Sequence, residues 1–122
     1  MSTSVVNKHE KINYVEFPSK DIPATKLFFV KALGWSFQDF GSEYTAFNNE
    51  GVNGGFFKAN SASKQATGGA LIVFFSENIE STKAKVERAG GIITQDVFEF
   101  PGGKRFHFEE PSGNEFAVWA EL

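Results

Sequence analysis

The stretch Phe106–Trp119 reads FHFEEPSGNEFAVW. Phe106-His107-Phe108-Glu109 alternates, Glu110-Pro111-Ser112-Gly113-Asn114 carries turn chemistry, and Glu115 to Trp119 alternates again. Pro presets φ and Gly tolerates positive φ, so the pattern is strand, tight turn, strand. At a period of two, Phe106, Phe108, Phe116 and Val118 share one face. Arg105, His107, Glu109, Glu115, Ala117 and Trp119 share the other. The first face is wholly apolar and suits packing on helices. The second mixes charge, imidazole and indole, and suits a pocket.

Upstream, the same kinds of element recur. Lys11 to Phe17 alternates as a strand, with Ile12, Tyr14 and Glu16 on one face, and Pro18 ends it. Asp21 is placed to cap a helix that has Pro23 in its first turn and stops at Gly34. Ala24, Leu27, Phe28 and Lys31 lie along one side of that helix, with Phe29, Ala32 and Leu33 widening the apolar stripe. Strands follow near Trp35–Phe40, Glu43–Phe47 and Val52–Phe57. Ala59 to Gly69 is small, polar and Gly-ended, a linker composition. Then the series repeats: a strand at Ala70–Phe75, an Asn78-capped helix at Ile79–Ala89, and strands near Ile92–Phe100, Lys104–Glu109 and Glu115–Glu121.

The halves overlay. At an offset of 57, Ser19 meets Ser76, Ile22 meets Ile79, Thr25 meets Thr82, Lys26 meets Lys83, Ala32 meets Ala89 and Gly34 meets Gly91. Beyond the helices the offset becomes 62 and Gly51 meets Gly113, so the second half carries extra residues near Pro101-Gly102-Gly103. A repeat of strand–helix–strand–strand–strand is the strongest organisational signal in the chain. It sets a polar arm at 1–10, then one domain at 11–122, with module 1 at about 11–58, a linker at about 59–69 and module 2 at about 70–122.

Composition narrows the function classes. The 122 residues include 15 Phe, which implies an aromatic interior, an aromatic pocket, or both. A net charge of −3 with dispersed Lys and Arg argues against nucleic acid as a partner. No apolar run reaches the roughly 20 residues of a membrane span, and no signal-peptide core is present, so a cytoplasmic location is expected. The absence of Cys removes disulfides, thiolate chemistry and Cys-ligated metals.

A duplicated βαβββ unit with Ile12-Asn13-Tyr14-Val15-Glu16-Phe17-Pro18, Leu33-Gly34-Trp35, Ala89-Gly90-Gly91 and Glu110-Pro111-Ser112-Gly113-Asn114 resembles the vicinal oxygen chelate superfamily. That superfamily contains glyoxalase I, bleomycin-resistance proteins and extradiol dioxygenases; the last motif is similar to its DPxGN turn, with Glu for Asp. The resemblance implies an α+β fold: two tandem βαβββ modules forming a curved mixed β-sheet cup, helices outside, and a homodimer whose cups form within one chain or by strands swapped between two. It also implies metal ligands, typically His, Gln or Glu, on the first and last strand of each module. Here those positions carry Tyr14, Gly55, Leu71 and Ala117. Apart from the rare ligand Tyr, none is a metal donor, so no metal and no other cofactor is expected.

The residues expected to line the cup are Tyr14, Glu16, Asn53, Phe57, Phe75, Arg105, His107, Glu115 and Trp119. His107, beside Glu16 or Glu115, would serve as an acid or base; its ordinary alternative is a hydrogen-bonded strand histidine. Glu16 would take a proton or a ligand cation, or form a salt bridge with Arg105. Glu115 is a rim carboxylate. Arg105 would clamp an anion, or simply place charge at a hairpin edge. Tyr14, Phe57, Phe75 and Trp119 would stack a planar ligand, or pack.

Three functions compete. The first is a small-molecule-binding relative of the bleomycin-resistance proteins without the usual metal, holding a planar or aromatic ligand, with or without acid–base chemistry by His107 and Glu16 or Glu115. The second is a metal-dependent lyase, isomerase or dioxygenase using Glu16, His107 and Glu115 as unconventional ligands. The third is an interaction protein using its sheet face.

Overall fold

The computed structural model describes residues 7–122. Of the arm, residues 1–6 lie outside the described residues, and 7–13 form no strand or helix. The elements are β1 (Tyr14–Ser19), α1 (Ile22–Leu33), β2 (Gln38–Asp39), β3 (Tyr44–Phe47), β4 (Asn53–Lys58), β5 (Ile72–Phe75), α2 (Ile79–Arg88), β6 (Ile92–Phe100), β7 (Gly103–Glu109) and β8 (Glu115–Ala120). They form two open, mixed four-stranded sheets, ordered β1-β4-β3-β2 and β5-β8-β7-β6. In each, the first strand runs parallel to the last and the rest is antiparallel. This is the duplicated βαβββ fold expected from the repeat. Among the described residues no helix is long and apolar enough to cross a membrane.

The helices begin and end where their termini are chemically satisfied. The Asp21 carboxylate accepts from the Ala24 N–H at 3.1 Å, and Asn78 accepts from Ser81 N–H at 3.1 Å. Gly34 closes α1 at φ 74°, a conformation costly for a residue with a Cβ. The buried face of α1 is Ile22, Thr25, Phe28, Phe29 and Ala32, whereas Leu27 is exposed. The stripe is therefore rotated from the sequence expectation: Thr25 turns inward to bond Glu110, and Phe29 packs on rings of both modules.

That core is aromatic and shared between the modules. Phe17 of β1 meets Phe116 of β8 at 5.1 Å between ring centroids, and Phe29 of α1 touches both Phe56 and Phe116. Trp35 stacks on Phe29 at 4.4 Å. The apolar face read from Phe106, Phe108, Phe116 and Val118 is fully buried here.

The repeat is also physical. Ser19 and Thr25 hydroxyls lie 2.9 Å apart, and Ser76 and Thr82 repeat the bond at 2.7 Å. Lys26 pairs with Asp39 at 2.8 Å, and Lys83 pairs with Asp96 at 2.8 Å, adding an equivalent pair to the alignment. In the second module the Ser76 hydroxyl also accepts from Asn78 N–H at 3.0 Å, whereas the first module's pair is joined to the other module. Ser112, in the β7–β8 turn, lies 3.0 Å from both hydroxyls. Glu110 of that turn accepts from Thr25 Oγ1 (2.8 Å), Ser112 N–H (3.0 Å), Asn114 N–H (3.1 Å) and Asn114 Nδ2 (2.9 Å). Asn114 Nδ2 also donates to the Pro18 carbonyl, and its Oδ1 accepts from Ser63 N–H, both at 2.7 Å. The linker is therefore not a loose tether; it is pinned to β8 and carries a short 3-10 turn at Gln65–Thr67.

Burial pushes the Glu110 carboxyl above its ordinary value, although the four donors act the other way. A Gln at this position would turn an N–H group toward donors. We expect Glu110→Gln to lower unfolding stability by about 2–3 kcal/mol, measured by urea denaturation. An unchanged midpoint would show that the turn does not join the modules energetically.

Candidate functional site

Strand alternation sends the second sheet's polar residues to the side opposite the helices, and pairing brings them into rows. Arg105 of β7 pairs with Trp119 of β8, and His107 pairs with Ala117. Phe75 of β5 pairs with Trp119 from the other side, and Phe98 of β6 pairs with Arg105. The Trp119 ring lies 5.1 Å from Phe75 and 6.4 Å from Phe100. The Arg105 guanidinium sits over the rings of Phe98 (5.4 Å) and Phe100 (5.6 Å). Val73, Phe100, Gly102, Arg105 and Trp119 line an open groove of about 370 Å³.

His107 is buried beside that row, 4% exposed, with Nδ1 3.1 Å from Glu115 Oε2. An ionised carboxylate accepts, so Nδ1 carries the proton of this bond. Nε2 is buried and, among the described residues, has no hydrogen-bond partner; neither has Arg105 Nε. Phe98 lies 6.0 Å from the imidazole. Glu115 has a second duty, since Oε1 accepts from the linker's Gln65 N–H at 2.9 Å. Burial alone would raise its pKa. The Gln65 N–H, the bond and charge of His107 and the Lys64 charge outweigh that and hold it below the ordinary value.

The first sheet's outer face carries a separate cluster. Tyr44 donates to Glu16 Oε2 at 2.8 Å, so its oxygen accepts from the Tyr14 hydroxyl, 2.6 Å away. Burial, then the bonds to Tyr14 and Glu16, push the Tyr44 pKa far above its ordinary value. Asn53 accepts from Asn49 N–H at 3.3 Å and so braces its own turn, while Phe57 is exposed.

Of the residues read from sequence, Arg105, His107, Glu115, Trp119 and Phe75 come together on the second sheet. Tyr14 and Glu16 come together on the first, with Asn53 and Phe57 on the same face. No bond joins Glu16 to His107 or to Arg105; Glu16 is engaged by Tyr44 instead. Tyr44, Phe98 and Phe100 were missed. Tyr44 had a legible signal, a large side chain two pairs away from a glycine on the facing strand. Phe98 and Phe100 follow two register shifts in β6, which scramble the alternation that would have revealed their face.

The positions at which the family holds a metal offer no ligand set here. A Cβ at Gly55 would run into the hydroxyl of Tyr44, so the phenol occupies the space a ligand side chain would need. Ala117 is fully buried and offers no donor. Among the described residues no group of three or more His, Asp or Glu is placed to hold a metal ion. The donor set does not fit, and Glu16, held by Tyr44, does not join His107 and Glu115 in a ligand set.

Residues 11–118 match the family model for the Glyoxalase/Bleomycin resistance protein/Dioxygenase superfamily, and the chain belongs to that superfamily. Its fold is shared with solved structures of low sequence identity. A glyoxalase-related enzyme from Fulvimarina pelagi aligns with a TM-score of 0.77 at 12% identity, covering 92% of this chain and 88% of that one. A glyoxalase/bleomycin resistance protein/dioxygenase family enzyme from Burkholderia phytofirmans PsJN aligns at 0.74 and 16%, covering 91% and 98%. A lactoylglutathione lyase from Agrobacterium tumefaciens aligns at 0.70 and 16%, covering 93% and 95%. No curated protein sequence matches the chain significantly.

Because Glu115 is held below the ordinary carboxyl value of 4.5, its stabilising contribution is complete above that value. It is lost as pH falls through the lower folded value. We expect Glu115→Gln to be less stable than the parent at neutral pH, and to lose less stability between about pH 5 and pH 3. Parallel acid profiles for the two proteins would contradict this account of Glu115.

Proposed function

We propose that this protein binds a small planar or aromatic molecule bearing an acidic group, on the outer face of the second sheet and without the family's usual metal. The observation that carries this reading is Arg105. Its guanidinium is stacked on two phenylalanines, shares a groove with Trp119, and has no carboxylate partner among the described residues. A cation framed by rings supplies both elements such a ligand needs: a fork for its acid group and an apolar wall for its ring. Exposed Val73, Phe75, Tyr14 and Phe57 on the two outer faces support a homodimer in which a second copy closes the groove into a cup.

The test is binding of benzoate and phenylpyruvate, read as a rise in melting temperature and by calorimetry. Arg105→Gln should weaken binding at least about 10-fold through the lost charge-assisted bonds. Trp119→Ala should weaken it by a similar factor. Unchanged affinity in both variants would defeat the proposal.

The unpartnered Nε2 of His107 favours one extension of this reading: the imidazole, held by Glu115, takes a proton from the bound ligand. Phenylpyruvate carries an acidic C–H, and its exchange with solvent deuterium is visible by NMR. The expected result is exchange accelerated by the protein and abolished in His107→Gln while binding persists. Equal exchange in the two proteins leaves His107 a structural histidine.

A further inference from the structure

The two modules do not close completely on each other. A cleft of about 380 Å³ enters between the β3–β4 turn and β5, with Tyr14 and Val73 at its edge. Its inner wall is aromatic: Phe17, Trp35 and Phe47 from the first module, and Phe74 and Phe116 from the second. These residues belong to the core face, whereas Arg105 and Trp119 lie on the outer face; the cleft and the outer groove share Val73, which lines both. Its size falls in the range of small-molecule pockets, roughly 300–1,000 Å³.

Glu50 brings the charge. It lies in the β3–β4 turn at the cleft, half-buried, with no ion pair or side-chain hydrogen bond among the described residues. Its surroundings are apolar enough that burial alone moves its carboxyl above the ordinary value. Lys85 and Glu77 line a neighbouring groove that Glu50 also borders, yet Lys85 forms no ion pair with it. A partly desolvated carboxylate without a counter-ion, beside a set of aromatic rings, matches the chemistry of an organic ammonium. The rings attract the cation through their quadrupoles and the carboxylate balances its charge. An acid, which the outer groove suits, would be repelled here.

We propose that the inter-module cleft is a second ligand site, taking a small aromatic or alkyl ammonium ion, with Glu50 as counter-ion and Trp35 and Phe47 among its walls. The site goes beyond the outer groove and does not depend on it.

The chain has two tryptophans, Trp35 in the cleft and Trp119 in the outer groove, so one label reports on both sites. The chain, labelled with 5-fluorotryptophan, is titrated with benzyltrimethylammonium and followed by ¹⁹F NMR. The expected result is a saturable shift of the Trp35 resonance with Trp119 unmoved. Glu50→Gln should weaken binding about 10-fold or more, and Trp119→Phe should leave it unchanged. Val52→Trp, placed at the same cleft, should block it without removing a charge. A shift confined to Trp119, no saturable shift at all, or equal affinity in Glu50→Gln overturns the proposal. So does a Trp35 resonance that ignores the probe but changes with protein concentration, because a second copy would then fill the cleft. Titration with benzoate reads the outer groove separately through Trp119, so failure at either site is recognised on its own.

Discussion

A buried carboxylate is expensive unless every lone pair is met, and the architecture of this protein turns on one that is. Glu110 gathers four donors and, through Thr25, Ser112 and Asn114, ties the start of α1, the end of β1, the linker and the β7–β8 turn into one polar knot. The aromatic core beside it is non-directional: Phe rings tolerate many packings of similar energy. Hydrogen bonds to a desolvated charge are directional and costly to break. The core supplies most of the burial, and the knot decides how the second module sits on the first.

Fixing the inner faces leaves the outer faces free to diverge. The modules keep the features that build a βαβββ unit: the Ser–Thr bond at the head of each helix and the Lys–Asp pair from helix to sheet. They differ on the surface turned away from the helices. The first sheet carries a Tyr14–Tyr44–Glu16 chain that fills the space over Gly55. The second carries a cation stacked on rings and a His–Glu dyad. Among the described residues neither surface gathers three or more His, Asp or Glu placed to hold a metal ion.

Charge is distributed by the same logic. The outer groove of the second sheet offers Arg105, whereas the inter-module cleft offers Glu50. Both lie among aromatic rings, where a low local dielectric strengthens pairing with a ligand and makes an uncompensated charge costly. Fifteen Phe therefore do two jobs: eight are buried as core and several others form walls beside ionised groups.

The sequence by itself determined the element order, the duplication and the two faces of the β7–β8 hairpin, because periods of 2 and 3.6, caps and glycine stops are local properties. It also determined that Arg105, His107, Glu115 and Trp119 share a face, since alternation along paired strands fixes side as well as spacing. Only the tertiary structure decided which carboxylate His107 meets and that Glu16 belongs to Tyr44. It likewise decided that Leu27 lies outside the core, that the linker is pinned, and that Phe98 and Phe100 lie against Arg105. Those outcomes rest on contacts between segments far apart in the chain, on strand-register shifts within β6, and on the angle at which two modules dock. No local pattern encodes these, because they are set by packing and hydrogen bonds between segments distant in the chain.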